Sequence, residues 1–205
     1  MSSNAPSQSS PGRLIVLSGP SGSGKTTLIR EALTTGDLPL RLAISATTRE
    51  ARPNEIDGVH YHFWTSEKFL DAIHADLFLE HAKVYGHHYG TLRSEVDPYL
   101  SQGINVLLEI DVQGGIQIKE QMPGCVMVFL RASTPKEYER RLRSRNTDKK
   151  DSLEKRLESA LNEIAIGTQQ YEFQIINDDL SEAVRDFRNL INSLGKKSQP
   201  KLTTI

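Results

Sequence analysis

Between an apolar run at residues 13–18 (RLIVLS) and a stretch of helical periodicity lies the octet Gly19-Pro20-Ser21-Gly22-Ser23-Gly24-Lys25-Thr26. It satisfies G-x-x-x-x-G-K-[ST] in full, and a strand before it with a helix after it is the context that makes this spacing a phosphate-binding loop. Its glycines let the backbone turn so that successive N–H groups face phosphate oxygens, and the following helix adds the positive end of its dipole. Lys25 then reaches the β- and γ-phosphates, Thr26 offers a hydroxyl to Mg2+, and Thr27 continues the ATP-binding loop into the helix. The competing reading, a chance Gly/Ser-rich turn, is opposed by both flanks. Such a loop specifies a nucleoside triphosphate without saying what is done with it.

The rest of the chain repeats the strand-then-helix rhythm. Residues 104–110, 125–130 and 173–177 read as strands. Helices are expected over 25–33, 113–121, 135–145, 152–169 and 180–194, the fourth from the phase of Leu153, Arg156, Leu157, Ala160, Leu161 and Ile164. Alternation of this kind predicts a parallel α/β sheet with right-handed crossovers. Residues 42–93 break the rhythm with short β-like pieces, several aromatics (Tyr61, Phe63, Trp64, Tyr85, Tyr89) and turn signals at Pro53-Asn54 and Asp57-Gly58. An inserted subdomain is expected there.

At 205 residues, with 25 Lys plus Arg against 26 Asp plus Glu, the chain is one large domain or two small ones and exerts no strong net field. Neither nucleic acid nor an anionic membrane is an expected partner. The lone Cys125 excludes an internal disulfide and fits a reducing cytoplasm. The longest apolar run, 125–130, is far below the ~18 residues that suggest a membrane span. Residues 1–12 are expected to be a disordered leader and 195–205 a frayed tail; no oligomeric state is assigned. The histidines His60, His62, His81, His87 and His88 form no H-x-x-x-H or H-E-x-x-H pair, so zinc is not expected.

Asp111 follows a strand at its C-terminal end, where ligands of open α/β sheets collect. It either serves the site or caps the helix that begins at 113, and spacing leaves both open. Glu109 lies on the same strand face, as a second acid of the site or a structural one. Six of the eleven residues 140–150 are basic, with Arg141 and Arg145 one helical turn apart. That is a phosphate-closing lid, a solvated helix face or an RNA contact.

Ser45-Ala46-Thr47-Thr48-Arg49, Arg52-Pro53-Asn54-Glu55, Asp57-Gly58-Val59-His60-Tyr61-His62-Phe63, Glu80-His81-Ala82 and His88-Tyr89-Gly90-Thr91 stand in that order in the insertion. With the phosphate loop, Glu109-Ile110-Asp111-Val112-Gln113-Gly114 and Asn177-Asp178-Asp179, they closely resemble the guanylate kinases of the compact bacterial type, from about residue 14 to 194. The resemblance implies a P-loop parallel sheet flanked by helices, with a small mixed β/α GMP-binding insertion (45–93) and a helical lid (about 136–164). The core would be 13–44, 94–135 and 165–194 of a domain spanning 13–194. The reaction implied is ATP + GMP ⇌ ADP + GDP, with dGMP as a further acceptor, Mg2+ accompanying ATP and no organic cofactor.

By the same resemblance, Glu80 accepts from guanine N1–H and N2 while Ser45 and Thr91 bond O6. Adenine offers an acceptor at N1 and would leave that carboxylate unpaired. Arg49, Arg52, Tyr61 and Tyr89 match positions that hold the GMP phosphate, a task suited to bidentate arginine, and Asp111 matches a GMP-site position. Arg145 and Arg156 would close on the transferring group, Arg141 would lie near the adenine, and Asn177 near the adenine or its ribose, a structural turn being the other reading of Asn177. Asn54 and Asn146 stand where the family usually has glycine; asparagine tolerates a left-handed turn better than most residues. Glu55 either braces Arg52 or faces solvent. Guanylate-kinase-like binding modules keep this fold without a working phosphate loop, and the intact Gly19, Gly22, Gly24, Lys25 and Thr26 argue against that class.

Overall fold

The structure, a computed structural model, describes residues 10–84, 86–144 and 150–195. Most of the expected leader and tail, and Arg145 with Asn146, lie outside the described residues. The chain opens with β1 (Leu14–Ser18), buried along its whole length. Successive side chains of a strand point to opposite faces, and here both faces are covered. Leu14 and Val16 pack with Val112, Ile118 and Met127, while Ile15 and Leu17 pack with Leu28, Ile29 and Phe187. This is why the strand reads as a continuous apolar run rather than an alternation.

α1 (Lys25–Leu33) starts at Gly24, whose φ of 94° is left-handed and suits glycine. β2 (Leu40–Leu42) follows, a strand that the sequence pattern did not announce. The insertion then contributes β3 (Ala46–Thr47), β4 (His62–Phe63), α2 (Ser66–His74), β5 (Phe78–Val84) and β6 (His87–Leu92). The chain returns through a 3-10 turn at Arg93–Glu95 and the short α3 (Asp97–Ser101) to β7 (Asn105–Glu109). The remaining elements are α4 (Val112–Gln121), β8 (Val126–Arg131), α5 (Pro135–Ser144), α6 (Lys150–Gln170), β9 (Phe173–Ile176) and α7 (Leu180–Gly195).

Five parallel strands run in the order β2-β7-β1-β8-β9, with Val16 opposite both Leu108 and Met127. β1 is central, so its end and the end of β7 deliver the phosphate loop and the Glu109–Asp111 segment side by side. The insertion builds a second, mixed sheet of order β4-β3-β6-β5, in which β3 and β4 are parallel and the other pairs antiparallel. The fold is therefore the α/β arrangement of a flanked parallel sheet with an inserted mixed subdomain.

Within residues 42–93, α2 is the helical part of the mixed β/α insertion, where the residue pattern by itself suggested only short β-like pieces. Thr65 caps it, its side chain accepting from the Lys68 N–H, and Phe69 and Ala72 bury its inner face. Phe69 stacks on Phe78 with ring centres 4.4 Å apart, giving the insertion its own small core with Ala46, Leu92 and Trp64. Among the described residues, no helix is long and apolar enough to cross a membrane.

Candidate active site

The phosphate loop is held from below by its neighbours. Ser23 N–H donates to the Pro20 carbonyl at 3.0 Å, and Lys25 Nζ folds back onto the Gly19 carbonyl. Asn177, buried at the end of β9, donates from Nδ2 to the Ser23 carbonyl at 2.7 Å. A side chain at position 24 would strike that same amide, a second reason for glycine there. Asn177 thus braces the loop, and it also lines a cavity of about 250 Å³ with Gly22, Gly24, Thr27, Arg141, Asp178 and Leu180. Arg141 reaches it from α5, donating to the Asn177 carbonyl at 2.5 Å and to the Ser23 carbonyl at 3.4 Å, with Glu137 pairing its Nε at 2.7 Å.

A larger cleft of about 310 Å³ joins the loop to the insertion. It is lined by Gly19, Ser21, Gly22, Gly24, Lys25, Thr26 and Thr27 on one side and by Ser45, Tyr61, Glu80, Tyr89 and Gly90 on the other, with Glu109, Asp111 and Glu163 between them. Thr26 Oγ1 donates to Glu109 Oε1 at 2.7 Å. Asp111 Oδ1 accepts from the Gln113 and Gly114 N–H groups at 2.7 and 3.1 Å, so it caps α4 and lines the cleft at once. A hydroxyl against the Glu109 carboxylate, with Asp111 in the same cleft lining, offers hard oxygen donors of the kind that suit Mg2+. Arg156 comes down from α6 and donates to Ser21 Oγ at 2.9 Å.

Glu80 on β5 is 4% exposed. Burial pushes its carboxyl up to about 7; the Thr91 hydroxyl, donating to Oε1 at 2.8 Å, opposes the shift, and the charge of Asp111 adds to it. Thr91 itself is fully buried behind Glu80. Tyr61 and Tyr89 meet edge to face at 6.0 Å, and burial raises the Tyr61 phenol to about 12.

Arg49 lies beside these rings, 5.5 Å from the Tyr61 centre, in a two-point pair with Glu55 at 2.9 Å for each contact. That pairing lowers the Glu55 carboxyl and raises the Arg49 guanidinium. Glu55 therefore braces Arg49, and of Arg52 it holds only the backbone N–H, at 2.8 Å. The Arg52 side chain stands exposed, outside the lining of the cleft.

Glu163 escaped the sequence reading. Burial raises its carboxyl, opposed by the charge of Lys25, and Ser159 Oγ donates to it at 3.2 Å. It stands seven residues, two helical turns, beyond Arg156, so the stripe that singled out Arg156 also pointed to it. Cys125 is buried at the entry to β8, away from the cleft.

The guanylate kinase family model matches residues 11–194. A guanylate kinase of Fusobacterium nucleatum is 44% identical over 185 residues, covering 89% of this chain and 97% of that protein. One from Aliivibrio fischeri is 43% identical over 196 residues, covering 95% and 94%. Among solved structures, the guanylate kinase of Anaplasma phagocytophilum superposes with a TM-score of 0.74 at 29% identity, covering 93% of this chain and 90% of that one. With a matching family model from end to end of the described fold, and relatives above 40% identity over nearly their whole lengths, the chain belongs to the guanylate kinase family.

Proposed function

We propose how the residues of the cleft divide the work of a guanylate kinase, the transfer of the γ-phosphoryl group of ATP to GMP. The observation that carries the assignment is one continuous cleft lined by a phosphate loop at one end and by Glu80, Ser45 and the two tyrosines at the other. Gly19 to Thr27 hold the ATP phosphates, with Arg141 and Asn177 toward the adenine. Glu80 and Ser45 read guanine, with Thr91 holding the Glu80 carboxylate from behind; Arg49, Tyr61 and Tyr89 hold the GMP phosphate, and Arg52 joins them by swinging in from its exposed position. Asp111 serves the same GMP site from the cap of α4. dGMP is accepted as well, since each of these base and phosphate contacts is indifferent to the 2′-hydroxyl.

The acceptor phosphate loses its second proton near ~6, so a GMP oxygen attacks as an anion and no catalytic base is required. Lys25 and the lid arginines Arg145 and Arg156 neutralise charge on the transferring group. When bound through Thr26, beside Glu109 and Asp111, Mg2+ supplies charge neutralisation to the β- and γ-phosphates. Closure of insertion and lid excludes water from the junction. The reaction belongs to purine nucleotide metabolism, and a cytoplasmic location is consistent with the single buried thiol.

The test is release of ADP from ATP and Mg2+ with GMP, dGMP, AMP, CMP or UMP as acceptor. Turnover confined to the guanine nucleotides is expected. Equal turnover with AMP would refute the role of Glu80, and GMP binding without turnover would favour a binding module.

A further inference from the structure

Three consecutive residues of β5 reach the core helix α4 in addition to the pairing of their strand with β6. The antiparallel register between β5 and β6 slips between Phe78 and Glu80, so that Phe78 faces Leu92 and Glu80 faces Thr91. A bulge of this kind re-aims side chains. Leu79 is 2% exposed and joins the core cluster of Val112 and Ile118, both from α4. Glu80 lies against Gly114: a Cβ placed there would stand 2.6 Å from Glu80 Oε2 and 3.3 Å from its Cδ. His81 is gripped by Gln117, whose Nε2 donates to the His81 carbonyl at 3.1 Å while Oε1 accepts from its N–H at 3.4 Å.

β5 is the edge of its sheet, so these are the backbone groups another strand would otherwise pair. Asp111, Gly114 and Gln117 follow at intervals of three along one face of α4.

From this geometry we propose that Gly114 and Gln117 are positioning residues for base selection, α4 acting as the backstop that sets where the Glu80 carboxylate meets the guanine edge. The inference rests on the assignment of Glu80 to guanine N1–H and N2 made above. One carboxylate oxygen is fixed by Thr91 and the other has room only because position 114 lacks a side chain. A methyl group at 114 must displace the carboxylate, because Thr91 and the buried surroundings leave Glu80 little other freedom. The helix itself accepts alanine there: Gly114 has no positive φ, and alanine is the better helix former. The perturbation is therefore spent on the position of Glu80 and not on folding.

Inosine monophosphate is the discriminating probe, since it keeps O6 and N1–H and lacks the 2-amino group. The ratio of kcat/KM for GMP to that for inosine monophosphate reads how well Glu80 reaches N2. Gly114→Ala is expected to lower this ratio about tenfold and Gln117→Met about threefold, with KM for ATP and the circular dichroism unchanged. A misplaced hydrogen-bond partner predicts that scale, whereas a packing role alone would alter stability and leave the ratio intact.

Glu80→Gln is the control that separates the two ideas. A ratio that falls in Glu80→Gln and stays within twofold of wild type in both α4 variants overturns the backstop. A ratio unchanged in Glu80→Gln as well overturns the guanine assignment beneath it.

Discussion

The Glu80 carboxyl is raised from 4.5 to about 7 by burial, and on the proposed assignment guanine presents it with two donors that require the ionised form. Binding the base must therefore expel a proton. With a carboxyl at about 7, about three quarters of the molecules are protonated at pH 6.5 and about a tenth at pH 8. Full ionisation on binding then releases about 0.7 proton at pH 6.5 and about 0.1 at pH 8. The shift corresponds to about 3 kcal/mol that the guanine donors and neighbouring dipoles must offset.

Titration calorimetry in two buffers of different ionisation enthalpy measures the release directly. Guanosine is the ligand to use, because the GMP phosphate itself titrates near ~6. Its affinity should rise about fourfold from pH 6.5 to pH 8 as the ionised fraction grows. Glu80→Gln should show neither effect. Absence of proton release from the wild type at pH 6.5, or an equal release from Glu80→Gln, would refute the reasoning. The stability sign is fixed by the same shift. A folded pKa above the unfolded one gives stability present below about 4.5 and lost as pH rises through about 7. Glu80→Gln should therefore stabilise the ligand-free protein at pH 8 more than at pH 5.

Lys25→Ala should lower turnover by at least about 10²-fold with the circular dichroism retained, because no other lysine lines the cleft among the described residues; activity within tenfold of wild type would remove Lys25 from the centre. Ser23 Oγ is fully buried and has no hydrogen-bond partner among the described residues. Such a group costs about 1–3 kcal/mol, so Ser23→Ala should raise Tm by about 2 °C or more, and an unchanged or lower Tm counts against it. The Tyr171 hydroxyl donates to Ser18 Oγ at 2.8 Å, and both groups are buried. Tyr171→Phe should cost about 1–2 kcal/mol in urea unfolding, and no loss would show that the pair contributes nothing net.

What could be read from the sequence was whatever is written locally. The phosphate loop is eight contiguous residues, and β1 announces itself because burial on both faces demands an unbroken apolar run. α1 begins and ends where Gly24 and the spacing of Leu28, Ile29 and Ala32 put it. β2 was missed because three half-exposed residues on the sheet edge carry no such run. Residue spacing did not locate α2, the helical part of the mixed β/α insertion that the family resemblance implied, because Trp64, Phe69 and Phe78 belong to a core assembled across the insertion, and aromatics so spaced suit strand and helix alike.

The site shows the same division. The ordered motifs placed Glu80, Thr91, Tyr61 and Tyr89 together, yet the partner of Glu55 was settled only by the turn that brings Arg49 back to it. The part of the lid that holds Arg145 lies outside the described residues.

The charges that line the cleft set an electrostatic problem for bringing two phosphates together in it. Among the described residues, Glu80, Glu109, Asp111 and Glu163 face a cavity in which Lys25 is the only lysine or arginine. Two nucleotides bring several further negative charges into the same volume. At an effective dielectric of about 20, like charges 4 Å apart repel by about 4 kcal/mol, so the cleft alone is a poor place to bring two phosphates together. The compensating charge is stationed at its margins: Arg141 and Arg156 on α5 and α6, Arg49 within the insertion, and the cation that Thr26 would hold. On the proposed assignment, phosphates approach each other only as those margins close.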